Sequence, residues 1–220
     1  MDANYNLTGL INRVKMRLND EEYSSDEITQ YINDAYFDIL GESEYQFLEK
    51  HYLAHTQKSD MLLLPPDFQT VALFTATTSG GRWALKYMPY HDFFEAEKDS
   101  GVNNYHFTIF GNNLFYSLPD ISQNGQADNE EFYDLDLFYL AKPRLLSSGT
   151  DKPIIPAEFG EILVLCALAR AERRRDNFDY AQIYENKADE LITNMKLRYS
   201  PRQLEGENRA RLPLKQTLRH

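Results

Sequence analysis

The chain is poorest in cysteine, with a single one, Cys166, among 220 residues. One thiol excludes an internal disulfide framework and a thiolate metal cage, which predicts a protein made in a reducing compartment. Long apolar runs are missing too. None approaches the roughly 20 residues that span a bilayer, and Met1–Leu10 carries neither a basic residue nor an apolar leader core, so neither a membrane span nor a secretory signal is expected. The short motifs of common chemistry are also absent: no Gly-x-Ser-x-Gly elbow, no dinucleotide fingerprint and no phosphate loop. Ser79-Gly80-Gly81 lacks the lysine and helix such a loop requires. Positive charge is scarce, with 23 Lys+Arg against 34 Asp+Glu and a formal charge of −11. That is the wrong balance for a protein whose main work is gripping phosphates.

Apolar and aromatic residues are plentiful, at 42% and 13%, with 15 Tyr and 13 Phe. Such a chain buries a sizeable core, and global disorder is excluded. Its charge is uneven. Between Arg198 and His220, Arg198, Arg202, Arg209, Arg211, Lys215 and Arg219 face only Glu205 and Glu207. A tail of +4 therefore follows a body of −15, which suggests a tail that docks on something acidic.

Periodicity divides the rest. Leu7, Leu10, Ile11, Val14 and Leu18 hold one helical face. After an acidic turn, Ser24 and Glu27 have capping-box spacing. Ile28, Tyr31, Ile32, Ala35, Tyr36 and Ile39 form a second stripe, with Gly41 as its stop. The middle is rich in aromatic and β-branched residues. Strands are expected at Met61–Leu64, Phe68–Thr78 and Arg82–Tyr87, the last two joined by a Ser79-Gly80-Gly81 hairpin turn. A second hairpin runs Tyr105–Phe110, Gly111-Asn112-Asn113, Leu114–Leu118, with Phe107, Ile109 and Phe115 on a common face, and Leu135, Leu137 and Tyr139 alternate in a last strand. Tyr90–Lys98 reads as a short helix and Ser122–Asp134 as an acidic loop. Helices return after Pro156. Glu158–Arg175 contains the run Ile162–Ala169, apolar on all sides and so central, and Phe178–Leu197 carries Tyr180, Ile183, Tyr184, Ala188, Leu191, Ile192 and Met195 as its stripe. The expected fold is α+β: a small antiparallel helical bundle built from N- and C-terminal helix pairs (residues 1–44 and 153–199), an inserted antiparallel β region with one short helix (45–152), and an extended basic tail (200–220).

Candidate chemistry is thin. His51 and His55 stand at i and i+4, which could hold a metal on a helix but would lie far apart on a strand. Asp128, Glu130, Glu131, Asp134 and Asp136 lack the spacing of a calcium loop. Arg173, Arg174 and Arg175 fan over roughly 200° of a helix, so salt bridges to Asp176 and Asp179 are the simpler account. Cys166 sits in the most apolar run, a place for packing rather than for a thiolate. No catalytic, cofactor-binding or metal-ligating residue is assigned, and no enzyme activity is expected.

The order of several short motifs carries more information. Leu10-Ile11 is followed by Ser25-Asp26-Glu27-Ile28-Thr29-Gln30-Tyr31-Ile32-Asn33-Asp34-Ala35-Tyr36, then Leu64-Pro65-Pro66-Asp67-Phe68. Tyr105, Ile109, Gly111, Asn112, Leu114 and Pro119 follow at fixed spacing, then Leu137-Phe138-Tyr139 with Lys142-Pro143. Ile155-Pro156, Glu158-Phe159, Ala167-Leu168-Ala169-Arg170-Ala171 and Tyr184-Glu185 complete the pattern. The layout resembles the head-to-tail adaptor (connector) proteins of tailed bacteriophages. The resemblance implies a structural virion protein of the neck, without catalysis or cofactor. It implies a ring, commonly dodecameric, beneath the portal protein, with helices building the ring, a C-terminal segment reaching the portal and the β region facing tail or neck proteins. The acidic body would suit a channel through which DNA passes without binding. The tail, with Leu212-Pro213-Leu214 as an apolar anchor, suits docking, and Arg209, Arg211, Leu212 and Leu214 are the expected portal contacts. Competing readings are another neck or tail-completion protein, a metal-dependent enzyme using His51 and His55, and a DNA-binding regulator acting through the tail.

Overall fold

A computed structural model describes residues 5–19, 23–57, 60–78, 81–96, 105–118 and 132–200. These form two units: residues up to Leu48 together with those from Pro143 onward, and Glu49–Lys142 between them. The first is helical and the second is built on antiparallel sheets.

In the helical unit, α1 (Leu7–Leu18) starts where Asn6 Oδ1 accepts the Gly9 N–H at 2.8 Å and stops at Asn19, which takes a left-handed φ of 48°. The expected capping box opens α2 (Ser25–Gly41), with Ser24 and Glu27 bonded reciprocally. Gly41 is the last helical residue rather than a left-handed stop, and Glu42 caps the helix in a right-handed conformation. A 3-10 turn, Ala157–Phe159, precedes α4 (Glu161–Arg174), and α5 (Phe178–Tyr199) follows. Helix α4 is the hub: α1, α2 and α5 each pack on it. Its Ile162, Leu163, Val164, Leu165, Ala167, Leu168, Ala169 and Ala171 are all buried, as a helix apolar all round must be.

The return segment, Pro143–Pro156, is stitched onto the N-terminal helices. The Leu7 and Thr8 N–H groups, which no helical partner can satisfy, donate to the carbonyls of Asp151 and Gly149. Asn33, buried in α2, donates to the Leu146 carbonyl at 2.9 Å and accepts the Leu146 N–H at 3.0 Å. The Tyr36 hydroxyl accepts the Ile154 N–H, and the Tyr5 hydroxyl donates to the Ile155 carbonyl. Asn33 and Tyr36 of the Ser25–Tyr36 motif thus clamp a segment more than 110 residues away.

The second unit contains β1 (Glu49–Gln57), β2 (Met61–Leu63), β3 (Phe68–Thr78), β4 (Gly81–Ala84), β5 (Lys86–Tyr87), α3 (Tyr90–Ala96), β6 (His106–Phe110), β7 (Asn113–Ser117) and β8 (Phe132–Ala141). One sheet has the order β1-β8-β3-β4 and the other β2-β7-β6-β5. All pairings are antiparallel except β5 with β6, which is parallel and departs from the expected wholly antiparallel region. The two sheets share one core, where Phe74 meets Phe107 and Tyr116 edge-on at 5.5 and 5.8 Å. A bulge in β3 between Val71 and Leu73 breaks the strand's alternation, so that Val71 and Phe74 are both buried. The Gly111-Asn112 turn, with Gly111 at φ 63°, sets Phe107 opposite Tyr116, Thr108 opposite Phe115 and Ile109 opposite Leu114. Phe115 therefore lies on the face opposite Phe107 and Ile109, contrary to expectation: a two-residue turn places Leu114 and Tyr116, not Phe115, across from them.

Candidate functional site

The residues that sequence alone singled out fall into three groups. Arg209, Arg211, Leu212 and Leu214 lie outside the described residues. His51 and His55 lie on β1, both on the face turned from the core, about 13 Å apart at strand spacing. Neither looks toward the other. His51 Nε2 is 2.7 Å from Asp136 Oδ1, and its ring stacks on Phe138 at 4.4 Å. Asp136 Oδ2 takes Arg82 Nη2 at 3.0 Å, and Arg82 Nε donates to Thr75 Oγ1. His55 Nδ1 meets Asp134. Asp134 and Asp136, grouped from sequence with an acidic loop, are residues of β8: Asp134 lies directly opposite His55 in the β1–β8 register, whereas Asp136 lies opposite Leu53 and reaches His51 diagonally. Among the described residues no three metal-ligating side chains gather.

The three arginines at the end of α4 are engaged, but not as expected. Arg173 makes a bidentate pair with Glu185 at 2.7 and 2.8 Å, Arg174 pairs with Glu27, and Arg175 lies 3.8 Å from Glu172. Asp176 and Asp179 are not the partners; carboxylates on α2, α4 and α5 reach the guanidiniums instead. Arg174 and Arg175 also stand over the Tyr23 ring, at 5.6 and 5.0 Å. The hydrogen bond from Arg174 holds the Glu27 carboxyl below its ordinary value. Cys166 lies mostly inside the helical unit, where burial pushes its thiol up to about 11, so it is no poised nucleophile.

Sequence reasoning missed Asp67, in the Leu64–Phe68 motif. Its Oδ2 takes Lys50 Nζ at 2.5 Å and its Oδ1 accepts the Tyr139 hydroxyl at 2.9 Å. Its carbonyl accepts the Lys142 N–H at 2.7 Å. One turn residue thereby ties β1 and β8 at the entry to β3. The Lys50 hydrogen bond draws the Asp67 carboxyl below its ordinary value, while burial and Asp67 push Tyr139 up to about 12.

Two surfaces leave large apolar side chains open to solvent. In the β unit, α3 lies over β6, on the side of that sheet away from the shared core. Tyr90 stacks on Phe110 at 4.6 Å and touches Phe94 at 4.8 Å, and Phe94 meets Phe115 edge-on at 5.6 Å. Phe110 is 58% exposed and Leu63, on β2, 63%. A ring-linked aromatic patch left open to solvent is unusual for a surface with no partner. The only sequence signal for it was the aromatic density of the middle region.

In the helical unit, two grooves flank α5. One, of about 280 Å³, separates it from α2. The larger, of about 530 Å³, separates it from α1, with Leu165, Tyr184 and Leu191 inside and Arg17, Glu161, Lys187 and Glu190 around it. The stripe expected on α5 is only partly covered. Ala181, Ala188 and Met195 are buried on α4, whereas Tyr180 and Ile183 are 61% and 47% exposed. Those two sit on the α1 side of the helix, one turn before the groove's own Tyr184 and Lys187. The stripe is wider than α4 alone can cover.

The described residues thus form two units that each leave apolar surface open to solvent. The chain matches the family model of the SU10 adaptor protein over residues 5–212 and belongs to that family, one of phage head-to-tail adaptors. The match spans both units. No curated protein matches the chain. Among the described residues no helix is long and apolar enough to cross a membrane.

Proposed function

We propose that the protein is a structural component of the virion neck that assembles as a ring, of dodecameric order, beneath the portal and links capsid to tail. The observation that carries this reading is the family match over 5–212. On this reading the helices of residues 1–44 and 153–199 act as a small bundle that builds the ring. The β region of residues 45–152 meets tail or neck proteins, and its exposed Tyr90–Phe94–Phe110–Phe115 patch fits such a contact, since aromatic side chains are enriched at interfaces. The tail of residues 200–220 docks on the portal through Arg209, Arg211, Leu212 and Leu214. DNA passes through the lumen unbound, because a body carrying −15 repels phosphates.

Mass measurement by light scattering, with the subunit alone and mixed with the portal ring, tests the reading. A stoichiometric ring on the portal is the expected result. A subunit that ignores the portal would refute it. Deleting residues 202–220 should abolish portal binding while leaving the subunit folded; unchanged binding would remove the tail from the portal interface.

A further inference from the structure

We infer that the α1/α5 groove of one copy receives the outward face of α2 from the next copy, and that this single contact, repeated, closes the ring. The inference rests on the ring reading above and adds to it the two surfaces that meet.

The first ground is the groove itself. It lies open between two helices: Leu165, Tyr184 and Leu191 line it, and Tyr180 and Ile183, one turn earlier on the same side of α5, are exposed to solvent. Within the helical unit, α4 is surrounded by α1, α2 and α5, and a fourth helix laid against α1 and α5 would cover those side chains.

The second ground is charge. Helix α1 holds Arg13, Lys15 and Arg17 and no acidic residue. Arg13 and Arg17 share one carboxylate, Glu161. Arg17 and Lys187 line the groove beside two carboxylates, Glu161 and Glu190, and Arg13, one turn back on α1, stands 3.9 Å from Glu161 and adds a third cation at its edge. Helix α2 is the reverse: Asp26, Glu27, Asp34 and Asp38 and no Lys or Arg. Its solvent side carries Asp26, Gln30, Asp34 and Asp38 around Phe37, which is 38% exposed and provides the apolar knob for an apolar groove. Glu27 and Asp38 are already held by Arg174 and Arg170, whereas Asp26 and Asp34 have no cation partner among the described residues.

The third ground is direction. Going round α4, α1 touches α2, a groove separates α2 from α5, and the larger groove separates α5 from α1. The α2 face and the α1/α5 groove therefore point to opposite sides of the unit. Two different patches on opposite sides form a heterologous contact, which propagates from copy to copy and cannot end in a symmetric dimer.

The test uses the full chain with the portal ring of the same phage. Ile183→Arg blocks the groove, and Asp34→Lys combined with Phe37→Lys blocks the face. All three positions are partly or fully exposed, so the subunits should fold, as circular dichroism will show. Each blocked variant should lose ring formation on the portal by more than tenfold. Mixed without portal at high concentration, the two variants should give a one-to-one heterodimer and nothing larger, because one intact groove meets one intact face. In a second measurement, Phe37→Cys paired with Ile183→Cys should form an intersubunit disulfide within the portal-bound ring, while either alone should not. Wild-type rings on the portal with no cross-link and no loss in the blocked variants would overturn the contact and leave the adaptor reading standing. Absence of wild-type rings on the portal would overturn both.

Discussion

Replacing Asn33 by Leu removes the clamp that holds the returning chain on α2. Leucine has the same branching at Cγ and the same number of heavy atoms, with somewhat bulkier methyl groups, so the chief loss is one of hydrogen bonds. Three go: to the Leu146 carbonyl, from the Leu146 N–H, and to the Thr29 carbonyl. The Thr29 carbonyl keeps its place in the α2 ladder, but both backbone groups of Leu146 are left buried without a partner. Each orphaned buried group costs on the order of 1–3 kcal/mol, and the apolar gain of Leu offsets part of this, leaving about 2–4 kcal/mol. Urea unfolding of the isolated subunit, followed by far-UV circular dichroism, reads the difference as a lower midpoint at unchanged slope. Asn33→Asp sharpens the test. It retains an acceptor for the Leu146 N–H and loses the donor to its carbonyl, so its cost should be largest when the carboxylate is ionised and should shrink in acid, where a protonated carboxyl can donate again. A cost below about 0.5 kcal/mol for Asn33→Leu would refute the reasoning. So would an Asn33→Asp deficit that does not vary with pH.

Gly160→Ala should destabilise the helical unit by about 2–3 kcal/mol by overpacking: its φ of −60° suits any residue, but a Cβ there would lie 2.2 Å from the buried Tyr5 ring, and thermal melting would show the loss. Asp67→Asn should alter acid stability. Because folding lowers the Asp67 pKa, its contribution is complete above the ordinary value of 3.8 and fades as pH falls through the lower folded value. The wild type should therefore lose part of its stability below that point while the variant, already lacking it, changes less; parallel acid titrations of the two would contradict the assignment.

Much of the helical architecture was legible because its signals are local. The capping box at Ser24 and Glu27 depends only on spacing three apart, and the all-apolar run in α4 has no solvent-facing side to offer. The β unit was harder. Strand β1 reads Glu-Lys-His-Tyr-Leu-Ala-His without apolar alternation, since its outward face mixes Glu49, His51 and His55 with an exposed Leu53, and Lys50 on the other face is used on Asp67. The face taken by Phe115 hinged on a turn of two residues rather than three, a one-residue difference that exchanges every side chain between faces.

The amino-acid order by itself determined which segments are helical, that α4 is the hub, and that the chain follows the adaptor motif order, because periodicity, caps and motif spacing are written along the chain. Only the tertiary structure decided why those motif residues are there and what remains uncovered. Asn33, Tyr36 and Asp67 act on backbone or side chains brought to them by folding, Arg173 and Arg174 find acids on other helices, and Tyr180 and Ile183 belong to a stripe that the unit's own helices do not fill. Long-range partners and unfilled grooves are properties of packing, and packing leaves no periodic trace in a sequence.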